Sequence, residues 1–470
     1  MSKRANGHPG AQLSVRRLSI FAGQQWLVRD IALEIAAGGV LTLLGESGSG
    51  KSLLAQAIMG NLPPTLACSG EIEIGAQRYD AADLRARQAL WGRTLSLLPQ
   101  EPWLALDPTM RVARQIGEVH ELVLGRSADD AAAAANAALA RLDMAQAGAS
   151  YPFQISGGMA QRVAFLATYA AGAPVLIIDE PTKGLDSARR GDVLAMLKAA
   201  IADGVTLLTI THDVWLARQL GGTLAVMLDG DIIEQGDAAA LLDAPQHAYT
   251  RRLLAADPAA WPAAAPAAAT APVATVQAVS KRFGAQQLFS NVTADIGRGE
   301  FVAITGPSGS GKTTFGNILL GLIKPDSGSV RRAGGLARTA FQKIYQDPAA
   351  AFAPTVTLRR SLQDLIDLHR LPWQELTALL ERLRLPPALL DRLPGQVSGG
   401  ELQRFAIARV LMMRPALIFA DEPTSRLDPL TQQETLMLLR EHALQYQCAV
   451  LLVTHDHDIA SRYAQRQISL

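Results

Sequence analysis

Three short apolar runs recur in each half of the chain, and they set its architecture. Val40 to Leu44, Val175 to Ile178 and Thr206 to Thr211 are matched by Phe301 to Thr305, Leu417 to Ala420 and Ala449 to Thr454. Runs of that length without polar alternation suit strands covered on both faces. Each half is therefore expected to hold a mostly parallel sheet with helical crossovers. Shorter strand-like runs open each half, and a helix-prone stretch lies between its first two apolar runs. That stretch contains Ala131 to Ala135 in one copy and Gln374 to Leu383 in the other, and predicts a helical subdomain in each. The first half alone continues into an expected hairpin, Leu224 to Leu228 and Ile232 to Gly236.

Between the halves, residues 255–272 are rich in alanine but interrupted by Pro258, Pro262, Pro266 and Pro272. Repeated prolines disrupt a helix, so this segment reads as a linker, reaching at most roughly 56 Å if extended. The chain thus divides into a first domain, 1–254, the linker 255–272 and a second domain, 273–470, with a short C-terminus. A length of 470 residues agrees, since one hydrophobic core rarely serves so long a chain. The 44 Lys and Arg residues nearly balance 43 Asp and Glu, leaving a net charge of +1. That lacks the footprint of a nucleic-acid binder, so no nucleic-acid partner is expected. Cys68 and Cys448 are too few for a disulfide framework and fit a reducing compartment. No secretory signal is visible in Met1 to Leu18, and no stretch reads as a spanning helix.

Chemistry enters directly after the first apolar run of each copy. Gly45-Glu46-Ser47-Gly48-Ser49-Gly50-Lys51-Ser52 and Gly306-Pro307-Ser308-Gly309-Ser310-Gly311-Lys312-Thr313 are both phosphate-binding loops. A glycine-rich turn between strand and helix lets backbone N–H groups surround phosphate oxygens, aided by the helix dipole. Lys51 and Lys312 are then expected on the terminal phosphates, with the Ser52 and Thr313 hydroxyls on Mg²⁺. The second apolar run of each copy ends in an acidic pair, Asp179-Glu180 and Asp421-Glu422. The aspartates suit the Mg²⁺ shell, and the glutamates suit orienting and deprotonating an attacking water. Between its lysine and its Asp-Glu pair the second copy is the more compact. A metal site in His455-Asp456-His457-Asp458 is an alternative, disfavoured because successive residues after a strand point in opposite directions.

This order of motifs resembles the ATP-binding cassette ATPases over essentially the whole chain. The implied fold is α/β: two tandem P-loop NTPase domains, each a mostly parallel core sheet with an antiparallel β subdomain and a helical subdomain. The resemblance implies ATP and Mg²⁺ as cofactors. Gln100 and Gln346 match the glutamine loop that touches Mg²⁺ and signals to the membrane partner. Ser156-Gly157-Gly158 and Ser398-Gly399-Gly400 match the family signature, each followed by a Gln-Arg pair, Gln161-Arg162 and Gln403-Arg404. Gly184-Leu185-Asp186 and Arg426-Leu427-Asp428 match the D-loop. His212 and His455 match the switch histidine, and Phe21 and Phe283 the aromatic that stacks on adenine. Met159 and Glu401 replace the usual glutamine after the signature glycines.

In the family, the signature of one cassette closes over the ATP of the other, so an intramolecular cassette pairing is implied. Two transmembrane permease subunits are the implied partners, with a substrate-binding protein acting through them. The implied location is peripheral, on the cytoplasmic face of the inner membrane. His247-Ala248-Tyr249-Thr250 resembles the tail of peptide and nickel importer ATPases, which points to peptides or a chelated metal as cargo. Alternatives are a soluble twin-cassette ATPase acting on ribosomes, an exporter ATPase and a sugar-importer ATPase. The short Ala/Pro linker and the near-zero charge disfavour the ribosomal reading.

Overall fold

The central strands that look uniformly apolar in sequence are buried along their whole length, because each is covered on both faces. The computed structural model describes residues 10–101, 105–183, 185, 187–265, 270–307 and 309–470, which divide into two compact units, Met1–Leu254 and Ala255–Leu470.

In the first unit, strands β1 (Leu13–Ala22), β2 (Gln25–Ile35), β3 (Val40–Leu44), β4 (Ala67–Ile74) and β5 (Gln77–Asp80) are followed by β6 (Leu95–Leu98), β7 (Val175–Asp179), β8 (Thr206–Thr211), β9 (Thr223–Leu228) and β10 (Asp231–Asp237). They form an antiparallel sheet, β2-β1-β4-β5, and a six-stranded sheet, β10-β9-β3-β8-β7-β6. The six-stranded sheet is parallel except for the β9–β10 hairpin. Val175 and Ile177 of β7 face the antiparallel sheet and the helix Lys51–Met59. Leu176 and Ile178 face the opposite way, into a helical layer that includes Ala135, Leu139 and Val163. That layer contains the helices Val112–Leu122, Ala128–Arg141 and Gly157–Tyr169. The alanine run lies within the second of these, which Ser127 caps by accepting the Asp130 N–H.

The second unit repeats the plan with β11 (Pro272–Phe283), β12 (Gln286–Gly297), β13 (Phe301–Thr305), β14 (Ser327–Arg332), β15 (Phe341–Ile344), β16 (Leu417–Asp421), β17 (Ala449–Val453) and β18 (Arg466–Ser469). Its sheets are antiparallel β12-β11-β14 and wholly parallel β15-β16-β17-β13-β18. Leu417 and Phe419 pack toward the antiparallel sheet, while Ile418 and Ala420 pack toward the helices. The helix-prone stretch forms Leu358–His369 and Trp373–Arg382.

Much of the segment expected as a linker packs within the second unit. Residues 255–264 are bound to the second unit: Gln433 donates to the Ala255 carbonyl, Arg462 to the Trp261 carbonyl, and the Ala264 N–H to the Arg462 carbonyl. Trp261 is 7 % exposed and packs edge-on against Tyr463 at 5.6 Å. Composition pointed to extended chain, but one tryptophan among alanines anchors the segment. Pro272 begins β11, and Pro266 lies outside the described residues. Among the described residues no helix is long and apolar enough to cross a membrane.

Candidate nucleotide sites

Each phosphate loop leaves a buried strand and enters a helix whose N-cap is a glycine in the left-handed region: Gly50, φ 102°, before Lys51–Met59, and Gly311, φ 94°, before Lys312–Leu320. A side chain there would be strained, so the glycines let the chain turn back and aim its first N–H groups at a common point. The lysines fold over their own loops. Lys51 Nζ donates to the carbonyls of Gly45 (2.9 Å) and Glu46 (2.7 Å), and Lys312 Nζ to those of Gly306 (2.8 Å) and Pro307 (3.0 Å). Each buried ammonium is thus held at the helix start where an anion would sit. Ser308 lies outside the described residues, as do Gly184 and Asp186 of the D-loop.

The acidic pairs sit where β7 and β16 end, beside the neighbouring parallel strand. Thr313 Oγ1 donates to Asp421 Oδ1 at 3.2 Å, and the Ser52 hydroxyl hydrogen-bonds Asp179 in the first unit. Burial pushes the Asp179 carboxyl up to about 6, against the pull of Ser52. Its Oδ1 is buried with no hydrogen-bond partner. A hydroxyl and a buried, under-satisfied carboxylate make an oxygen donor set that fits Mg²⁺. In the second unit burial likewise raises Asp421, but the Lys343 ammonium lies 3.7 Å from its Oδ2 and works the other way. Leu97 occupies that position in the first unit. This asymmetry was not visible in the motifs, since Lys343 belongs to a strand and not to a loop.

Glu180 and Glu422 follow in left-handed backbone, φ 51° and 47°. Their N–H groups donate to Ile210 O (2.8 Å) and Val453 O (3.0 Å), so each turn is clamped to the next strand while its side chain swings out. Both glutamates then meet the expected histidine. Glu180 Oε2 lies 2.8 Å from His212 Nδ1, and Glu422 Oε1 lies 2.8 Å from His455 Nε2. Burial opposes charge on both Glu180 and His212, yet their mutual attraction prevails: Glu180 is held below its usual range and His212 above it. Gln346 Nε2 donates to Glu422 Oε2 at 3.1 Å, bringing the glutamine loop into the second site. Gln100 follows β6 at the corresponding place.

The signature serines cap helices. Ser156 Oγ accepts the Met159 N–H above Gly157–Tyr169, and Ser398 Oγ accepts the Glu401 N–H above Gly399–Met412. Glu401 completes a capping box by accepting from the Ser398 N–H (2.7 Å) and hydroxyl (2.8 Å), which Met159 cannot do. The glutamines behind the signatures differ in their attachment. Gln161 donates to Pro181 O beside the Asp179-Glu180 turn, whereas Gln403 donates to Tyr345 O beside Gln346.

The two adenine-stacking candidates lie at the ends of β1 and β11. Phe21 packs edge-on against Trp26 at 5.4 Å, and Trp26 is 56 % exposed. Trp26 was missed in the sequence because no motif surrounds it. Phe283 is 54 % exposed, with the Lys281 ammonium 5.5 Å from its ring. The sheet that carries Phe21 abuts the phosphate loop, since a Cβ on Gly50 would lie 2.9 Å from Val28 of β2.

Comparison with known proteins follows the same division of the chain. The model of the ABC transporter family matches residues 28–183 and 289–425. The peptidoglycan transport ATP-binding protein YejF of Agrobacterium fabrum is 32 % identical over 493 residues, covering 97 % of this chain and 89 % of its own length. The glutathione import ATP-binding protein GsiA of Salmonella typhi is 32 % identical over 522 residues, covering 97 % of this chain and 84 % of its own. A solved structure of an RNase-L inhibitor superposes with a TM-score of 0.66 at 19 % identity, over 97 % of this chain and 87 % of that one. At that identity the likeness extends to the fold alone.

Proposed function

The chain belongs to the ABC transporter family and is an ATPase of it, and we propose that it energises an import system for short or modified peptides. The observation that carries this reading is the recurrence, inside each unit, of a lysine-capped phosphate loop, an oxygen donor pair and a Glu–His contact of 2.8 Å. Two such sets in one chain supply both sites that a transporter needs from its ATPase.

In this reading Lys51 and Lys312 hold the terminal phosphates of ATP, with Ser47, Gly48, Ser308 and Gly309 in the loop around them. Ser52 with Asp179, and Thr313 with Asp421, would hold Mg²⁺, joined by Gln100 and Gln346. When bound there, the cation would supply neutralisation of developing phosphate charge. Glu180 and Glu422 orient the attacking water and take its proton. His212 and His455, already against those carboxylates, hold them in place and face the γ-phosphate. Phe21 and Phe283 stack on adenine. Pairing of the two cassettes is proposed to bring Ser156, Gly157 and Gly158 to the second nucleotide, and Ser398, Gly399 and Gly400 to the first. Closure on ATP and reopening after hydrolysis would then drive two permease subunits at the cytoplasmic membrane face, fed by a substrate-binding protein.

The peptide cargo is supported by the relatives named for glutathione and peptidoglycan transport. The His247-to-Thr250 resemblance adds a chelated metal such as nickel as a finer alternative. Uptake of glutathione, cell-wall peptides, dipeptides and nickel in a strain lacking this gene tests both. Loss of one peptide class, restored by the gene, is the expected result; undiminished uptake of every peptide would reject it.

A further inference from the structure

We propose that Tyr249 is a positioning residue for the phosphate loop of the first nucleotide site, holding one peptide plane of that loop from behind. The inference rests on residues 45–52 being an ATP site, and it gives the segment after the β9–β10 hairpin a task unrelated to cargo.

The hairpin and the loop are joined through a short chain of contacts. Glu234 on β10 accepts the N–H groups of Gln246 (2.6 Å) and His247 (3.2 Å), which fixes where the next helix begins. His247 Nδ1 accepts the Tyr249 N–H at 3.1 Å, capping the helix Ala248–Ala255. Tyr249 is thereby directed inward and is only 6 % exposed. Its hydroxyl accepts the N–H of Glu46, the second residue of the phosphate loop, at 3.1 Å.

That N–H belongs to the same peptide unit as the Gly45 carbonyl, which accepts from Lys51 Nζ at 2.9 Å. Tyr249 and Lys51 therefore grip opposite edges of one peptide plane. With both edges held, the plane cannot rotate its carbonyl toward an incoming phosphate, where it would repel charge. A backbone N–H partly withdrawn from water also needs an acceptor, and Tyr249 supplies one without competing for the ligand side of the loop.

The second unit provides an internal comparison. Its corresponding peptide joins Gly306 to Pro307, and the Gly306 carbonyl accepts from Lys312 at 2.8 Å. Proline has no N–H to satisfy, and its ring fixes φ covalently. The restraint that a ring imposes in the second loop is imposed in the first by a hydroxyl from a distant helix. Tyr249 should matter only while residue 46 carries an N–H.

A double-mutant cycle in the full chain tests this. With Lys312→Ala present to silence the second loop, Mg-ATP binding is measured for Tyr249→Phe, Glu46→Pro and the two combined. Loss of one hydrogen bond of this kind predicts a Kd raised about three- to tenfold by Tyr249→Phe, and no further change when Glu46→Pro is already present. An equal effect of Tyr249→Phe in both backgrounds would make it a packing residue and overturn the proposal. No effect in either background would also overturn it. Amide hydrogen exchange of the peptide spanning residues 44–50, measured without nucleotide, should be faster in Tyr249→Phe than in the parent chain. If the parent bound no ATP, the functional reading would fall, while this exchange would still decide the contact; unchanged exchange counts against it.

Discussion

The Nδ1 nitrogen of His212 lies 2.8 Å from Glu180 Oε2, and this contact raises the imidazole's proton affinity while lowering that of the carboxylate. Glu180→Gln keeps the shape but removes the proposed base and the charge. Steady-state hydrolysis is expected to fall at least about tenfold, equivalent to ~1.4 kcal/mol in barrier, and Glu422→Gln should do the same in the second site. Unchanged turnover in both variants of the assembled transporter would remove these residues from the catalytic role.

The same pair gives a pH signature in the nucleotide-free chain. The histidine's folded pKa is raised, so its contribution to stability is full below its ordinary 6.5 and is lost as pH rises through the higher folded value. The carboxylate's folded pKa is lowered, so its contribution is present above its ordinary 4.5. Glu180→Gln should therefore lower the melting temperature of the first unit more at pH 6 than at pH 9. A deficit that is the same at both pH values would show that the contact is not ionic.

Asp179 poses the opposite balance, because burial holds it up to about 6 against an ordinary 3.8. Between those values the folded state binds the proton that the unfolded state has released. Stability therefore falls as pH rises through that window, and the full cost, about 3 kcal/mol, is present above it. Asp179→Asn should raise the melting temperature of the nucleotide-free first unit by several degrees at pH 7.5 and by much less at pH 4.5, while abolishing Mg²⁺-dependent hydrolysis. Calorimetry at the two pH values reads the first effect. A variant less stable than the parent at pH 7.5 would mean that the carboxylate is satisfied as an anion.

The candidate residues were legible because phosphate chemistry demands particular residues at particular turns, and those turns are local in sequence. The sequence placed each glutamate and each histidine at a strand end, but that the two strands are parallel neighbours, and that the side chains meet, came from the fold. What stayed hidden depends on side chains meeting across elements. Lys343 reaches Asp421 from inside a strand, Trp26 joins Phe21 across a hairpin, and Tyr249 reaches Glu46 from some two hundred positions away. Trp261 was hidden for a different reason. Alanine and proline around it describe an extended chain correctly, but a single large ring can pin such a chain to a core, and composition averages that ring away.

Trp261 yields a prediction of its own. It packs with Phe301, Tyr463 and the helical-side core of the second unit. Trp261→Ala should destabilise that unit by about 3 kcal/mol or more and leave the first unit's transition in place. Limited proteolysis should then cut the residues near position 261 faster. If both transitions shifted equally, the ring would not be a local anchor.

Gly316 and Phe419 carry the final prediction, because the two copies solve one packing problem in different ways. A Cβ on Gly316 would lie 2.1 Å from Phe419 Cζ, so the phosphate-loop helix approaches β16 over a missing methyl. The corresponding pair in the first unit is Ala55 and Ile177, both buried in one core, where a smaller strand residue leaves room for the methyl. Gly316→Ala alone should cost about 1–3 kcal/mol by overpacking. Phe419→Ile alone should also destabilise, by leaving unfilled volume. Together they recreate the first unit's pairing, and the double variant should recover at least about 1 kcal/mol relative to the sum of the single losses, the coupling expected of residues in contact. Strictly additive losses in denaturant titrations would show that the helix shifts to accept the methyl and that the two positions are independent.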